Sequence, residues 1–209
     1  MVEYKGVTVS EAVNFEDNGS ISLRNQKIEK LVRELLTAVG EDPNRAGLAR
    51  TPERVARMVD ELLSGYDTDL DELVNDAIFD SDYDETVLVR DITFYSLCEH
   101  HLLPFFGRAT VAYVPDGKII GLSKIPRIVE MYARRLQLQE RMTEQIADTL
   151  EGVLKPKGIA VLLDGNHMCS IMRGVKQTQS RMETSVFRGV LKDDEKLRRE
   201  FLDAARSVG

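Results

Sequence analysis

The sequence has few cysteine and histidine residues, two and three among its 209 positions, and it has no tryptophan. Two cysteines are too few for a disulfide framework, which excludes a small stapled secreted protein. Apolar runs such as residues 159–163 are only as long as a strand, so no membrane span is predicted. The first residues lack the basic start and apolar stretch of a secretory signal, and we therefore expect a cytoplasmic location.

An excess of basic residues is also missing, since 28 Lys and Arg residues stand against 35 Asp and Glu residues, a formal net charge of −7. Proteins that bind nucleic acids generally carry a basic surface, so no nucleic-acid partner is expected. A small anionic ligand remains possible because a local group of Lys and Arg is sufficient for it. The length and the 43% hydrophobic content fit a globular chain of one domain with an appendage, or of two small domains.

The first part of the chain is predicted to be helical. Residues 1–21 show no periodicity and are expected to form a flexible tail. Apolar residues three and four positions apart predict a helix over 28–39 that stops at Gly40, and another that opens at Thr51. A short third helix is expected over 70–78.

From Thr86 onward, β-branched residues predict a sheet. Strands are expected over 86–94, 108–114, 118–122, 159–164, 169–175 and 182–190, and helices over 125–136, 139–154 and 193–207. The sequence Pro115-Asp-Gly117 predicts a hairpin between the second and third of these strands. Because the strands do not alternate regularly with helices, the predicted class is α+β with mainly antiparallel pairing.

The five potential soft ligands fall in two short segments. Cys98, His100 and His101 lie within four consecutive positions, and one residue separates His167 from Cys169. Cys98 and His101 can reach one ion from a tight turn, and Cys169 completes a three-ligand set that leaves a fourth position for water, as in catalytic zinc sites. Thiolate and imidazole ligands favour zinc over magnesium or calcium.

The two remaining histidines, His100 and His167, are each within two residues of a predicted ligand. We expect them to line the same pocket, where imidazole is the usual general acid or base. The alternative interpretation is that the histidines are hydrogen-bonded core residues and the cysteines small buried hydrophobes. The confinement of all five residues to two segments favours the catalytic interpretation.

Basic residues predict an anion site near these clusters. Ser123 is expected to cap a helix whose free amides attract phosphate, and Lys124 and Arg127 add donors suited to phosphate oxygens. Arg173 and Lys176 follow Cys169 closely. A solvated basic surface is the alternative interpretation.

The triplet Gln139-Glu140-Arg141 opens a predicted helix. The carboxylate of Glu140 either favours the helix dipole or accepts hydrogen bonds from a guanine edge. The residues alone leave both interpretations open.

Several motifs together resemble one known family, GTP cyclohydrolase I. They are Thr51-Pro-Glu-Arg54, Cys98-Glu-His-His101, Gly121-Leu-Ser-Lys124, Gln139-Glu-Arg-Met-Thr143, His167-Met-Cys169 and Met172-Arg-Gly174. The resemblance implies hydrolysis of GTP to formate and 7,8-dihydroneopterin triphosphate, the first step toward tetrahydrofolate or tetrahydrobiopterin. It also implies one zinc ion per subunit on Cys98, His101 and Cys169, with proton transfer by His100 and His167.

The same resemblance implies how the substrate is bound. Gln139 and Glu140 would hold the guanine edge. The triphosphate would be bound by Ser123, Lys124, Arg127 and Arg173, with Arg54 reaching in from a neighbouring subunit.

The fold implied by the resemblance is the tunnelling fold. Subunit sheets of this fold close a barrel in pentamers, and two pentamers form a homodecamer, which leaves no free sheet edge. A helical region over 22–84 would precede a catalytic region over 85–209. Rival interpretations are a pterin synthase, a nitrile reductase of the same fold, or a non-catalytic protein stabilised by zinc.

Overall fold

The computed structural model describes residues 22–207, so the predicted tail over 1–21 lies outside the described residues. The chain divides into two compact units, one up to Asp60 and one from Glu61 onward. The predicted boundary between a helical region and a catalytic region at residues 84 and 85 stays a prediction. Within 22–207, no helix has the length and apolar character that crossing a membrane requires.

The first unit is built on two helices. Helix α1 (Leu23–Ala38) begins after Ser22, whose side-chain oxygen accepts a hydrogen bond from the Asn25 amide at 3.2 Å. It ends as predicted next to Gly40, whose φ of +89° is a conformation that glycine adopts readily. Helix α2 (Thr51–Leu62) starts at the predicted residue and continues two residues into the second unit.

The second unit contains the strands of the described chain. They are β1 (Ile78–Asp80), β2 (Val87–Cys98), β3 (Pro104–Val114), β4 (Lys118–Ile120), β5 (Leu136–Gln137), β6 (Gly158–His167) and β7 (Met182–Gly189). The main sheet has the order β5-β2-β3-β6-β7, and β1 pairs with β4 in a separate small sheet. Only the two-residue pairing of β5 with β2 is parallel; the other pairings are antiparallel.

Helices cover both faces of the main sheet. They are α3 (Leu70–Val74), α4 (Lys124–Ala133), α5 (Gln139–Leu154), α6 (Met168–Ile171), α7 (Val190–Asp193) and α8 (Glu195–Arg206). Helices α4 and α5 pack on one face, where Met142, Ile146 and Leu150 join Phe105 in the larger core. Helices α7 and α8 pack on the other face, where Leu162 meets a smaller core. Strand β6 is therefore buried on both faces, which explains its uninterrupted apolar run.

The predicted α+β class, with an antiparallel sheet and packed helices, is confirmed. Closure of the sheets of several subunits into a barrel stays a prediction. Both flanking strands of β3 run antiparallel to it, an arrangement that determines the position of the functional residues described below.

The predicted hairpin around Pro115-Asp-Gly117 is wrong. The turn itself forms, with Gly117 at a φ of +77°, but β4 pairs with β1 instead of with β3. Strand β1 begins at residue 78, where the third predicted helix was expected to end, and helix α3 ends at Val74. A local turn signal fixes the direction of the chain but does not select the partner strand.

The predicted strand over 169–175 is also wrong. Residues Met168–Ile171 form the short helix α6, and a turn follows with Gly174 at a φ of +63°. Helix α6 contacts β3 and β6, whereas Met172 and Val175 in the turn are exposed. Cys169 is consequently carried by a helical turn.

We expect Leu150→Ala to lower the free energy of unfolding by about 2–5 kcal/mol, the usual cost of such a cavity in a core. The Leu150 side chain is fully buried between α5 and the sheet. Leu122→Ala is the matched control because Leu122 is 69% exposed, and it should change stability by less than about 0.5 kcal/mol. Urea unfolding at one fixed protein concentration measures both, and equal midpoints would contradict the assigned core.

Candidate metal centre and active site

The sheet topology brings the two predicted ligand clusters together at one end of the strands. Strands β2 and β6 both pair antiparallel with β3, so they run in the same direction and end where β3 begins at Pro104. Cys98 is the last residue of β2 and His167 is the last residue of β6. The segments after these two strands need only fold across the start of β3 to meet.

Cys98, His101 and Cys169 form a compact group of potential ligands. One ligand atom from each residue lies within 4.8 Å of the other two. Burial raises the pKa of the Cys169 thiol, and the nearby Cys98 sulfur raises it further, whereas the charge of Arg173 lowers it. The raised pKa of Cys169 disfavours its thiolate, and a bound cation would favour the thiolate.

The turn after β2 holds the first two of these residues. The Cys98 amide donates to the Leu103 carbonyl at 2.9 Å, and the Leu102 amide donates to the Cys98 carbonyl at 2.8 Å. His100 and His101 are both exposed, and their rings meet edge to face with centroids 6.2 Å apart. His100 therefore lies beside the ligand group without joining it.

His167 is fixed by two contacts. Its ring stacks on Phe105, its partner across β3 and β6, with centroids 4.6 Å apart and planes only 4° from parallel. Its Nε2 lies 2.9 Å from Oε1 of Gln139. Burial lowers the pKa of the imidazole, and the negative charge of Glu140 acts in the opposite direction.

Gln139 determines the tautomer of His167. Its amide nitrogen has acceptors at the Leu163 carbonyl, at the Met182 carbonyl and at the Thr184 hydroxyl, between 2.8 and 3.1 Å away. The amide oxygen must therefore face the histidine and can only accept a hydrogen bond. His167 accordingly donates through Nε2, and its Nδ1 has the free lone pair when the ring is neutral.

A glycine provides the space for this arrangement. A Cβ atom on Gly165 would lie 2.3 Å from the Gln139 amide oxygen, so another residue there would displace the amide. Gln139 itself is 1% exposed, and its polar side-chain atoms are bonded within the protein. Its predicted contact with a guanine edge stays a prediction; in this structure it contacts His167, β6 and β7.

Glu140 and Arg173 are two predicted substrate-binding residues near the ligand group. Both are exposed, and their charges influence the pKa values of His167 and Cys169 respectively. They therefore offer an acceptor and a cationic donor beside the thiols and the imidazole.

The other predicted substrate residues contact different parts of the chain. Ser123 precedes α4 but makes no side-chain capping hydrogen bond. The Lys124 ammonium donates to the Leu73 carbonyl at 2.7 Å, and Arg127 lines a surface cavity of about 380 Å³ with Arg134. Arg54 belongs to the first unit, where it donates to Thr51 Oγ1 at 2.9 Å. The binding roles of these four residues stay predictions.

A larger cavity of about 440 Å³ is lined by arginines that already have acidic partners. The ion pairs are Arg108–Asp91, Arg181–Asp164 and Arg206–Glu183. Because each guanidinium is compensated by a carboxylate, this cavity offers little net attraction for a triphosphate.

Comparisons with known proteins identify the family. Residues 28–206 match the family GTP cyclohydrolase I. The chain belongs to the GTP cyclohydrolase I family. A protein of Gloeobacter violaceus named GTP cyclohydrolase 1 is 58% identical over 82% of this chain and 80% of its own. One of Leptospira biflexa with the same name is 54% identical over 86% of this chain and 98% of its own.

One solved structure, an archaeosine synthase QueF-like protein in the apo form, is 15% identical over 52% of this chain and 96% of that chain, with a TM-score of 0.42.

These matches confirm the family, the enzyme and the function predicted from the sequence, GTP cyclohydrolase I. GTP cyclohydrolase I is a hydrolase of folate and pterin biosynthesis. The individual residue roles implied by the resemblance stay predictions.

Sequence reasoning missed several residues that organise this GTP cyclohydrolase I site. The stacking partner Phe105 and the small residue Gly165 were not singled out, and no role was found for Glu99. A glycine inside a strand pattern is a known sign of close approach by another group, so Gly165 was the one detectable signal.

We expect Gly165→Ala to lower kcat by as much as about 100-fold, because the new methyl group displaces the Gln139 amide and with it the ring of His167. The metal content should be unchanged, since the substitution does not touch the ligands. Gly152→Ala is the matched control, because a Cβ there meets nothing within 4 Å. Wild-type turnover of GTP by the Gly165 variant would contradict the positioning role of Gln139.

Proposed function

We propose that this chain opens the imidazole ring of GTP at a zinc site formed by Cys98, His101 and Cys169, and releases formate and 7,8-dihydroneopterin triphosphate. The observation that carries the proposal is that these three potential ligands and His167 lie together at the ends of strands β2 and β6. The reaction is the one that gives the family its name, and the specific residues are our assignment.

The three residues fit a catalytic zinc ion. Zinc–sulfur distances near 2.3 Å and zinc–nitrogen distances near 2.0 Å place tetrahedral ligand atoms about 3.5–3.8 Å apart. The observed group, with its atoms within 4.8 Å, requires only a small contraction to reach these values. Three protein ligands leave one position open, and zinc in such a set acts as a Lewis acid that makes water a stronger nucleophile near neutral pH.

His167 is the residue best arranged to move a proton. The Phe105 ring and the Gln139 amide oxygen fix its plane and its tautomer, which leaves Nδ1 to exchange a proton with the purine. The ring of His100 lies beside that of His101, and we assign His100 the second proton transfer, near the ribose.

Glu140 is our candidate for holding the guanine edge. It is exposed, it follows Gln139 directly, and a carboxylate can accept two hydrogen bonds from the guanine N–H groups. Gln139 would then support catalysis through His167, because its own amide is bonded to the protein.

Arg173 is our first candidate for binding the triphosphate. Its positive charge lowers the pKa of the Cys169 thiol, so it lies close to the ligand group. Lys124, Arg127 and Ser123 at the start of α4, and Arg54 from another subunit, would complete that site. Lys124 would exchange the Leu73 carbonyl for a phosphate oxygen, a stronger acceptor for an ammonium group.

Assembly into a homodecamer is part of the proposal. Strand β7 pairs only with β6, and β5 pairs with just two residues of the 12-residue strand β2, so most of both outer edges is unpaired within the described chain. Joining such edges between subunits would satisfy their backbone groups. A cytoplasmic location is proposed from the sequence.

Purified protein should contain about one zinc ion per chain and release formate from GTP. Removal of the metal with a chelator should abolish formate release, and added zinc should restore it. Formate is measured enzymatically, and the pterin product by its fluorescence after oxidation. Bound zinc without formate release would support a purely structural metal site and contradict the proposal.

His167→Ala should retain zinc and lose at least about 100-fold in turnover, as expected when a general acid or base is removed. Cys169→Ala should lose the metal because it removes one of three ligands. Zinc analysis together with single-turnover kinetics separates the two effects. If the His167 variant lost zinc while the Cys169 variant kept it, the ligand and the proton-transfer residue would be exchanged.

A further inference from the structure

Glu99 is the residue of the Cys98–His101 segment that has no chemical role in the proposed reaction. Its carboxylate accepts a hydrogen bond from Nη2 of Arg141 at 2.5 Å. Its backbone amide donates to the Gln137 carbonyl at 3.1 Å. Glu99 therefore connects the turn after β2 to the segment that leads into α5.

The guanidinium of Arg141 is itself held in place. Its Nη2 also donates to the Leu136 carbonyl at 3.0 Å, and its Nε donates to the Gln137 side-chain oxygen at 3.1 Å. The Gln137 side chain is 2% exposed and donates to the Tyr132 carbonyl and to Gln145. Contacts to Leu136 and Gln137 thus hold the guanidinium in place while its Nη2 donates to Glu99.

The turn that Glu99 anchors has an unfavourable backbone conformation. Leu102 has a φ of +54° although it is not a glycine, and its side chain is 63% exposed, so packing does not hold it there. Two of the three potential metal ligands, Cys98 and His101, belong to this turn. The bond from Glu99 to Arg141 is a side-chain contact that links the turn to a rigid helix.

We propose that Glu99 and Arg141 are positioning residues that set Cys98 and His101 in the geometry for metal binding. The inference rests on the zinc site proposed above. The same helix α5 begins with Gln139, which orients His167. One helix therefore aligns both the metal-binding turn and the proton-transfer histidine.

A simple charge effect makes a different prediction. If Glu99 only attracted a cation through its charge, Glu99→Gln would weaken zinc binding and Arg141→Gln would strengthen it. Positioning requires that both substitutions weaken binding. It also requires that the double variant be no weaker than the singles, because either change already breaks the pair.

The test measures zinc dissociation constants of the full-length protein by competition with a chromophoric chelator. We expect Glu99→Gln, Arg141→Gln and the double variant each to bind zinc about 10- to 100-fold more weakly, the usual effect of losing a residue that orients ligands. Arg141→Lys keeps the charge but has no Nε donor for Gln137, so it should be nearly as weak as Arg141→Gln. The cobalt(II) absorption spectrum should change in the same variants.

Glu183→Gln is the matched control, because it breaks an ion pair with Arg206 of similar exposure on β7, and it should bind zinc as the wild type does. Stronger binding by Arg141→Gln, wild-type affinity of both single variants, or additive losses in the double variant would overturn the inference. Wild-type protein that binds no zinc would refute the proposed function instead, so the two failures are distinguishable.

Discussion

The antiparallel pairing of β3 with a strand on each side is the constraint on which the site depends. It makes β2 and β6 run in one direction and end together, so residues 98–101 and 167–169 meet although about 70 positions separate them in the sequence. The register adds Phe105 opposite His167. One ladder of backbone hydrogen bonds thus brings together the proposed metal ligands, the stacking partner and the proposed proton-transfer residue.

Local patterns predicted most of the fold but not every partner. The amphipathic stripes of α1 and α5 and the β-branched run of β2 reflect properties of neighbouring residues, so the sequence reveals them. The pairing of β4 with β1 depends on contacts about 40 residues apart, which no local signal encodes. The segment 169–175 was wrongly predicted as a strand because its apolar residues lie in the short helix α6 and in an exposed turn, which the local pattern does not distinguish from a strand.

The candidate site was predictable to the extent that its chemistry is rare. The two cysteines and three histidines all fall in two short segments, and this distribution is visible in the sequence without a structure. The contacts of Gln139 and Glu99 are different, because they depend on which backbone carbonyls and which arginine the fold brings near. Glutamine and glutamate are common residues, and their spacing gives no sign of a partner in another element.

The contacts of the Gln139 amide connect catalysis to the edge of the sheet. Its nitrogen donates to the Met182 carbonyl and the Thr184 hydroxyl of β7, and its oxygen accepts from the His167 imidazole. A slip of β7 by one residue would exchange carbonyl for amide and turn the threonine to the opposite face. The hydrogen bonds that direct the Gln139 amide oxygen at the ring would then be lost, and His167 could adopt either tautomer. If His167 transfers protons as proposed, alignment of the outermost strand is a condition for activity, set by a side chain whose polar atoms are bonded within the protein.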